Sequence, residues 1–447
     1  MDRIQEFLQQ HRIDEVECLV PDMAGIARGK ILPAAKFIKG MSDQGLRIPE
    51  SVFVQTVTGD YPEEDIVTSP ASQDVFLIPD PGTVRLVPWY DDPTAQVLCD
   101  AQQFDGGPVH IASRYVLRRV LECYEAEGWQ PIIAPELEFF LVDINTDPDY
   151  PLVPPIGRSG RRETSRQSYG LDAVNEFDPL FEDVYDFCEA QDIDIDTLTH
   201  EAGAAQMEMN FHHGPPLEVA DQAFLFKRTV REAALRHKVY ATFMAKPMEG
   251  EPGSSMHIHQ SLLNKDSGEN LFAQKSGKDS RLFLSYIAGL QRYLPQVMPL
   301  LAPNVNSYRR LMRDTDAPIN THWAYDNRTV GLRVPHSDGQ ARRVENRIAG
   351  ADANPYLAVA ASLACGYLGM KERLKPRAPV EGSAYRLAHT LPRTLYDALN
   401  RFASSRRLKE LLGEQFVEAV AQVKESELNA YQQVISSWER EHLLLNV

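Results

Sequence analysis

Apolar and polar positions alternate along this chain in two different periods. Short period-two runs predict strands early on, as in EVECLV at 15–20 and DVFLIP at 74–79. A proline-rich stretch at 79–93 predicts extended connecting structure. From Ser113 the period lengthens. Val116, Leu117, Val120, Leu121 and Tyr124 recur at helical spacing until Gly128 ends the pattern. That change of period places a domain boundary near residue 108, dividing the chain into 1–108 and 109–447. A second helix is predicted over 218–238, followed by a strand in VYATFMA. The apolar run from Tyr356 to Met370, rich in Ala and Gly, predicts a buried core helix, because a bilayer span needs about 20 residues. The C-terminal segment reads as helical, with Leu395, Leu399, Phe402, Leu408, Leu411 and Leu412 at helical spacing. Residues 143–172 read as a long surface loop of the kind that is functional or disordered, and 264–280 as a loop or hairpin.

Four of the alternating segments carry chemistry on one face. In IIAPELEFFLV, Glu136 and Glu138 oppose Leu137 and Phe139. In HEAGAAQMEMNF, Gln206, Glu208 and Asn210 oppose Met207, Met209 and Phe211, with Glu201 seven residues before Glu208. In GSSMHIHQSLL, His257, His259 and Ser261 share a face. In RRVENRI, Arg343, Glu345 and Arg347 do. Any one of them is also what an exposed strand face gives. Taken together they need cations, since burying several carboxylates without them is prohibitive. Oxygen donors with an imidazole suit Mg²⁺ or Mn²⁺, and a multi-metal carboxylate site suits phosphoryl transfer. Arginines supply the complement: Arg309 and Arg310, Arg328 and Arg333, Arg343 and Arg347. Guanidinium groups grip carboxylate and phosphate bidentately.

Common nucleotide signatures are missing. GIARGKI at 25–31 is one residue short of a Walker A loop and has Ile31 in place of Ser or Thr. Neither GxGxxG nor GxSxG occurs. His212 and His213 have no partner at metal spacing and read as a loop pair. The net charge of −17 argues against nucleic acid as the main partner and permits a cationic ligand. Five scattered cysteines without CxxC spacing predict reduced thiols, and MDRIQEFLQQ lacks a signal-type apolar run. The expected setting is cytoplasmic, with no membrane partner.

The ordered set PELEFF, HEAGAAQMEMN, KPMEGEPGSSMHIHQS, NSYRRL, DNRTVGLRVP and RRVENRIAGADANPYL resembles the glutamine synthetase superfamily, type I, over nearly the whole chain. The resemblance implies an α+β fold, with a β-grasp domain over 1–108 and a catalytic domain over 109–447 whose antiparallel strands form a funnel surrounded by helices. It implies a dodecamer of two hexameric rings with active sites between subunits. It implies a ligase in which ATP phosphorylates the γ-carboxylate of glutamate and an amine then displaces phosphate. By motif position Glu138, Glu201 and Glu208 resemble ligands of one metal, and Glu136, His257 and Glu345 ligands of a second. His259 resembles the residue beside the transferring phosphoryl group. Arg310 and Arg347, with Gly253, resemble the glutamate binders. Arg328 and Arg333 resemble phosphate-stabilising residues, and Ser261 and Arg343 match positions near the nucleotide.

The departures lie at the acceptor end. The family's Asp-Gly-Ser-Ser segment is replaced by RIPESVFVQTVTGDY, the flap glutamate by RDTDAP with Asp316 nearest, and Ala-Arg-Asn-Arg by TyrAspAsnArg after His322 and Trp323. These features resemble the γ-glutamylpolyamine branch, whose members join glutamate to putrescine or longer amines. An alkylamine needs apolar walls and a carboxylate for its far ammonium; Asp316, Asp326, Glu50 and Asp60 are the candidates. Asp316 or Glu201 is the expected proton acceptor. Ammonia, ethanolamine or another small amine remains the alternative acceptor.

Overall fold

The alternating run at 15–20 becomes β1 (Glu15–Pro21), which turns at Gly25 (φ 78°) into its antiparallel partner β2 (Ala27–Pro33). A helix, Ala34–Asp43, follows, then β3 (Arg47–Pro49), β4 (Asp74–Pro79), β5 (Arg85–Leu86) and β6 (Thr94–Gln102). The strand order is β2-β1-β6-β4-β3, with β5 also on β6 and the β1–β6 pair parallel. This arrangement is consistent with the β-grasp expected at this end. The molecule is a computed structural model that describes residues 2–62, 73–164, 166–313 and 316–447.

The second sheet is centred on the long β7 (Trp129–Val142). Around it lie β8 (Ile195–His200), β9 (Gln206–Phe211), β10 (Tyr240–Thr242), β11 (Met256–Asn264), β12 (Trp323–Tyr325), β13 (Leu332–Val334) and β14 (Val344–Asn346). Their order is β12-β13-β14-β11-β7-β9-β8, with β10 on β7. All pairs are antiparallel except β12–β13. The predicted strand VYATFMA shortens to β10 because it meets only the end of β7, Phe140–Val142.

One face of this sheet is apolar: Leu137, Phe139, Met207, Met209, Met256 and Ile258 are all fully buried. Behind it pack the predicted helices, observed at Ser113–Glu125 and Pro216–Arg236. The second starts two residues before the predicted position because Pro215 and Pro216 preset its first turn. The helix Pro355–Lys371 is buried all round, as its unbroken apolar run predicts. Asn354 caps it, accepting from the Tyr356 and Leu357 amides while donating to Asp22 O just after β1. It crosses a helix not read from the sequence, Arg281–Tyr293, at Gly289 and Gly369; a Cβ on Gly369 would come within 2.4 Å of Gly289 Cα. Helices at Asp2–Gln10 and Asp178–Ala190 are further additions.

Residue 108 falls in the connection between β6 and the helix at Ser113. The apolar core runs without a break across that connection. Arg114, buried there, bridges Asp80 and Asp100 on one side to Asp221 on the other. Within the 143–172 excursion, Ile156 is bridged to Arg162 and a short helix at Leu171–Asn175 begins in its last residues. The 264–280 segment is hairpin-like, with bridges Leu263–Asn270 and Ala273–Asp279. The C-terminal part is helical at Leu395–Ala403, Arg406–Leu412, Glu414–Gln432 and Ser437–Leu443. Among the described residues no helix is long and apolar enough to cross a membrane.

Candidate active site

Strand pairing turns the four polar faces into one. In an antiparallel ladder, directly opposite residues lie on the same face. Glu136 is opposite both His257 and Asn210, Glu138 is opposite Glu208, and Glu345 is opposite both His259 and Arg333. The carboxylate of Glu136 lies between two imidazoles, 3.1 Å from His257 Nδ1 and 2.8 Å from His259 Nε2. Glu138 accepts from the amide and hydroxyl of Ser255, whose Oγ also lies 2.9 Å from His257 Nε2. Glu345 is fully buried between Arg333 (2.9 Å) and Arg347.

Two groups of donor atoms converge closely enough to share an ion: Glu136, His257 and Glu345, and Glu138, Glu208 and His257. His257 belongs to both. Glu201 stands outside these two sets, its Oε2 accepting from the Ala202 amide. It is nonetheless close enough to Glu138 and Arg328 to feel both charges. The electrostatics show an excess of carboxylate. Burial, then the charges of Glu136, Glu138 and Glu201, push Glu208 up to about 10. Burial and Glu138 push Glu201 up to about 7. Burial acts on Glu136 in the same direction, but hydrogen bonds from His257 and His259 prevail and hold it well below the usual range. Glu345 is held down to about 2, Arg347 and the two histidines overcoming its burial. Oxygen donors with one imidazole, carrying more negative charge than nearby cations offset, fit Mg²⁺ or Mn²⁺.

Beside the carboxylates is a cavity of about 600 Å³ lined by Glu136, His259, Ser261 and Arg343, with Phe211 and His212 on another wall. Arg343 Nε lies 3.2 Å from His259 Nδ1, and Ser261 Oγ donates to Arg342 O. His212 and His213 are the loop pair expected from the sequence, just beyond the end of β9, and both line this cavity. On the opposite side Arg310 is buried and donates to the carbonyls of Arg347 and Ile348. Burial pushes its guanidinium down to about 10. Gly253 lies against it: a Cβ there would fall 2.6 Å from Arg310 Cγ and 2.5 Å from Ala245 O. Arg333 Nε and Arg347 Nε are buried donors without a partner among the described residues. Arg328 is exposed.

The acceptor-end acids do not gather. Asp316 is exposed, in the left-handed region at φ 58°. Asp326 is 2.7 Å from Arg333. Asp60 accepts from Thr58. Glu50 is buried and accepts from Gln103. Gln206, on the polar face of the HEAGAAQMEMNF strand, and Ser255, which the sequence pattern does not single out, both reach Glu138. Gln206 Nε2 donates to Gly253 O at 3.0 Å and reaches Glu138, tying the two halves of the site together. The only local signal for Ser255 was its place just before the alternating MHIH run.

The sequence pattern described as the glutamine synthetase catalytic domain matches residues 110–443. A gamma-glutamylputrescine synthetase, PuuA, from Escherichia coli K12 is 36% identical, covering 99% of this chain and 94% of that protein. A glutamate–isopropylamine ligase from a Pseudomonas species is 33% identical, covering 98% and 96%. A solved structure of a GmaS/ADP complex superposes with a TM-score of 0.85 at 26% identity, covering 98% of both chains.

Proposed function

Because the chain belongs to the glutamine synthetase family and is a carbon–nitrogen ligase joining glutamate to an amine, we propose that its acceptor is putrescine or a longer polyamine, reached through γ-glutamyl phosphate. The observation that carries the chemistry is the single sheet face on which Glu136, Glu138, Glu208 and Glu345 meet His257 and His259, with Arg333 and Arg347 beside Glu345. The relatives acting on putrescine and isopropylamine, together with the altered acceptor-end segments, support an alkylamine over ammonia.

In this reading a γ-carboxylate oxygen of glutamate attacks the γ-phosphorus of ATP and ADP departs. The amine nitrogen then attacks the acyl carbon, and phosphate leaves with the electrons of the broken C–O bond. Arg310 and Arg347 hold the glutamate carboxylate, with Gly253 leaving room beside them. The partnerless Nε of Arg347 is a ready donor for it. His259, Arg328 and Arg333 face the phosphoryl group, and Ser261 and Arg343 the nucleotide in the adjoining cavity. The GmaS/ADP neighbour supports an adenine nucleotide there. Glu136, His257 and Glu345 would hold one divalent cation, and Glu138, Glu201 and Glu208 another. Mg²⁺ or Mn²⁺ bound there would offset phosphate charge. The attacking amine must lose its proton, and Glu201 or Asp316 accepts it.

The proposal includes a β-grasp and a catalytic part divided near residue 108, a cytoplasmic setting, and a dodecamer of two rings. The exposed apolar side chains at the C-terminus, Ile435, Trp438, Leu444 and Leu445, support burial against other copies. The test is an amine panel read by phosphate release and product mass. Diamines or polyamines are expected to stimulate glutamate-, ATP- and Mg²⁺-dependent release and to yield γ-glutamyl amides. Glutamine as the preferred product from mixed ammonium and polyamine would sink the acceptor assignment.

A further inference from the structure

The four backbone amides after Glu201 are each held by a side chain. Ala202 N donates to Glu201 Oε2 at 3.3 Å and Gly203 N to Gln206 Oε1 at 2.9 Å. Ala204 N donates to Glu251 Oε2 at 3.1 Å and Ala205 N to Glu163 Oε2 at 2.7 Å. The same Glu163 oxygen lies 3.1 Å from Nε2 of the fully buried His200, whose Nδ1 is 2.8 Å from Glu201 O. Glu163 therefore grips both ends of the turn that carries Glu201. The turn is strained: Ala205 is buried at φ 55°, a region non-glycine residues occupy at a cost unless their surroundings enforce it. It is also tightly walled, since a Cβ on Gly203 would fall 2.6 Å from the Phe140 ring.

Glu163 comes from the 143–172 excursion. That segment is tied down a second time by Tyr169 N donating to His200 O, and Arg166, three residues after Glu163, donates to Gly250 O. The other carboxylate oxygen of Glu163 is buried without a partner among the described residues. An apolar residue would fill this place at lower desolvation cost. What the carboxylate adds is the paired hold on His200 and Ala205.

We propose that Glu163 is a positioning residue, which holds the 200–205 turn so that the Glu201 carboxylate faces Glu138 and Glu208. This rests on the reading of Glu138, Glu201 and Glu208 as a cation site. The test is Mn²⁺ binding to the full-length protein without nucleotide or amine, followed by electron paramagnetic resonance of the free ion. Wild type is expected to show two classes of site, one weakened by Glu208→Gln and the other by Glu136→Gln. Glu163→Ala is expected to weaken the Glu208-dependent class by about tenfold or more and to leave the Glu136-dependent class nearly unchanged. Glu163→Gln, which keeps an oxygen for Ala205 N, is expected to fall between and serves if the alanine variant fails to fold. An unchanged isotherm in a folded Glu163 variant overturns the proposal, as does equal weakening of both classes, which would mean general loosening. If Glu208→Gln leaves both wild-type classes intact, the cation-site reading fails instead, and the proposal with it.

Discussion

Glu345 shows how much rests on single side chains. It is fully buried, flanked by Arg333 and Arg347, and 3.8 Å from His257 Nδ1. Its charge ties the two arginines to the cation cluster. Glu345→Ala removes a metal-ligating carboxylate, leaves the buried Arg347 without its counterion and leaves Arg333 with Asp326 alone. Turnover is expected to fall by at least about 100-fold, the upper range for losing a group that supports a metal ligand. Phosphate release at near wild-type rate would refute the ligand assignment. The alternation in RRVENRI marked Glu345 and its neighbours. It could not mark the contact with Arg333, twelve residues back on a different strand.

At the scale of elements, the helices behind the sheet hold the polar face in register. The Pro355–Lys371 and Arg281–Tyr293 helices approach so closely at Gly289 and Gly369 that no side chain fits between them. Gly369→Ala would drive a Cβ to 2.3 Å from Ser285 O. Overpacking of this kind is expected to cost about 1–3 kcal/mol, read as a lower urea midpoint. An unchanged midpoint would mean that the helix pair separates freely. The apolar run made the first helix legible. Its partner at 281–293 also carries helical spacing, in Phe283, Tyr286, Ile287 and Leu290; what no local period gives is that its Gly289 packs against Gly369.

For the whole molecule, the net charge of −17 is mostly surface acid, since the site uses only five glutamates. Those five still set a pH dependence. Glu201 and Glu208 are raised in the folded chain to about 7 and about 10, against an ordinary value of 4.5. Between 4.5 and those values the folded state holds more protons than the unfolded state. Stability of the cation-free protein therefore falls as pH rises through that window. Bound cations displace the protons and remove the penalty. Mg²⁺ or Mn²⁺ is expected to raise the melting temperature more at about pH 9 than at about pH 6, and a chelator to reverse it. An equal gain at both values would show that Glu201 and Glu208 bind no cation.

The sequence by itself determined the periods, and so the elements and the residues that share a strand face. Alternation is a local property, set by neighbours two apart. Together with the ordered motifs it also determined the family and the reaction class. Only the tertiary structure decided which faces meet. Glu136, Glu208, His257 and Glu345 lie on four strands, and their register is fixed by long-range pairing. It alone withdrew Asp326 to Arg333 and buried Glu50. It alone brought Glu163 of the 143–172 excursion under the turn of Glu201. Such contacts depend on the path of loops, and loop paths are set by packing that no local pattern encodes.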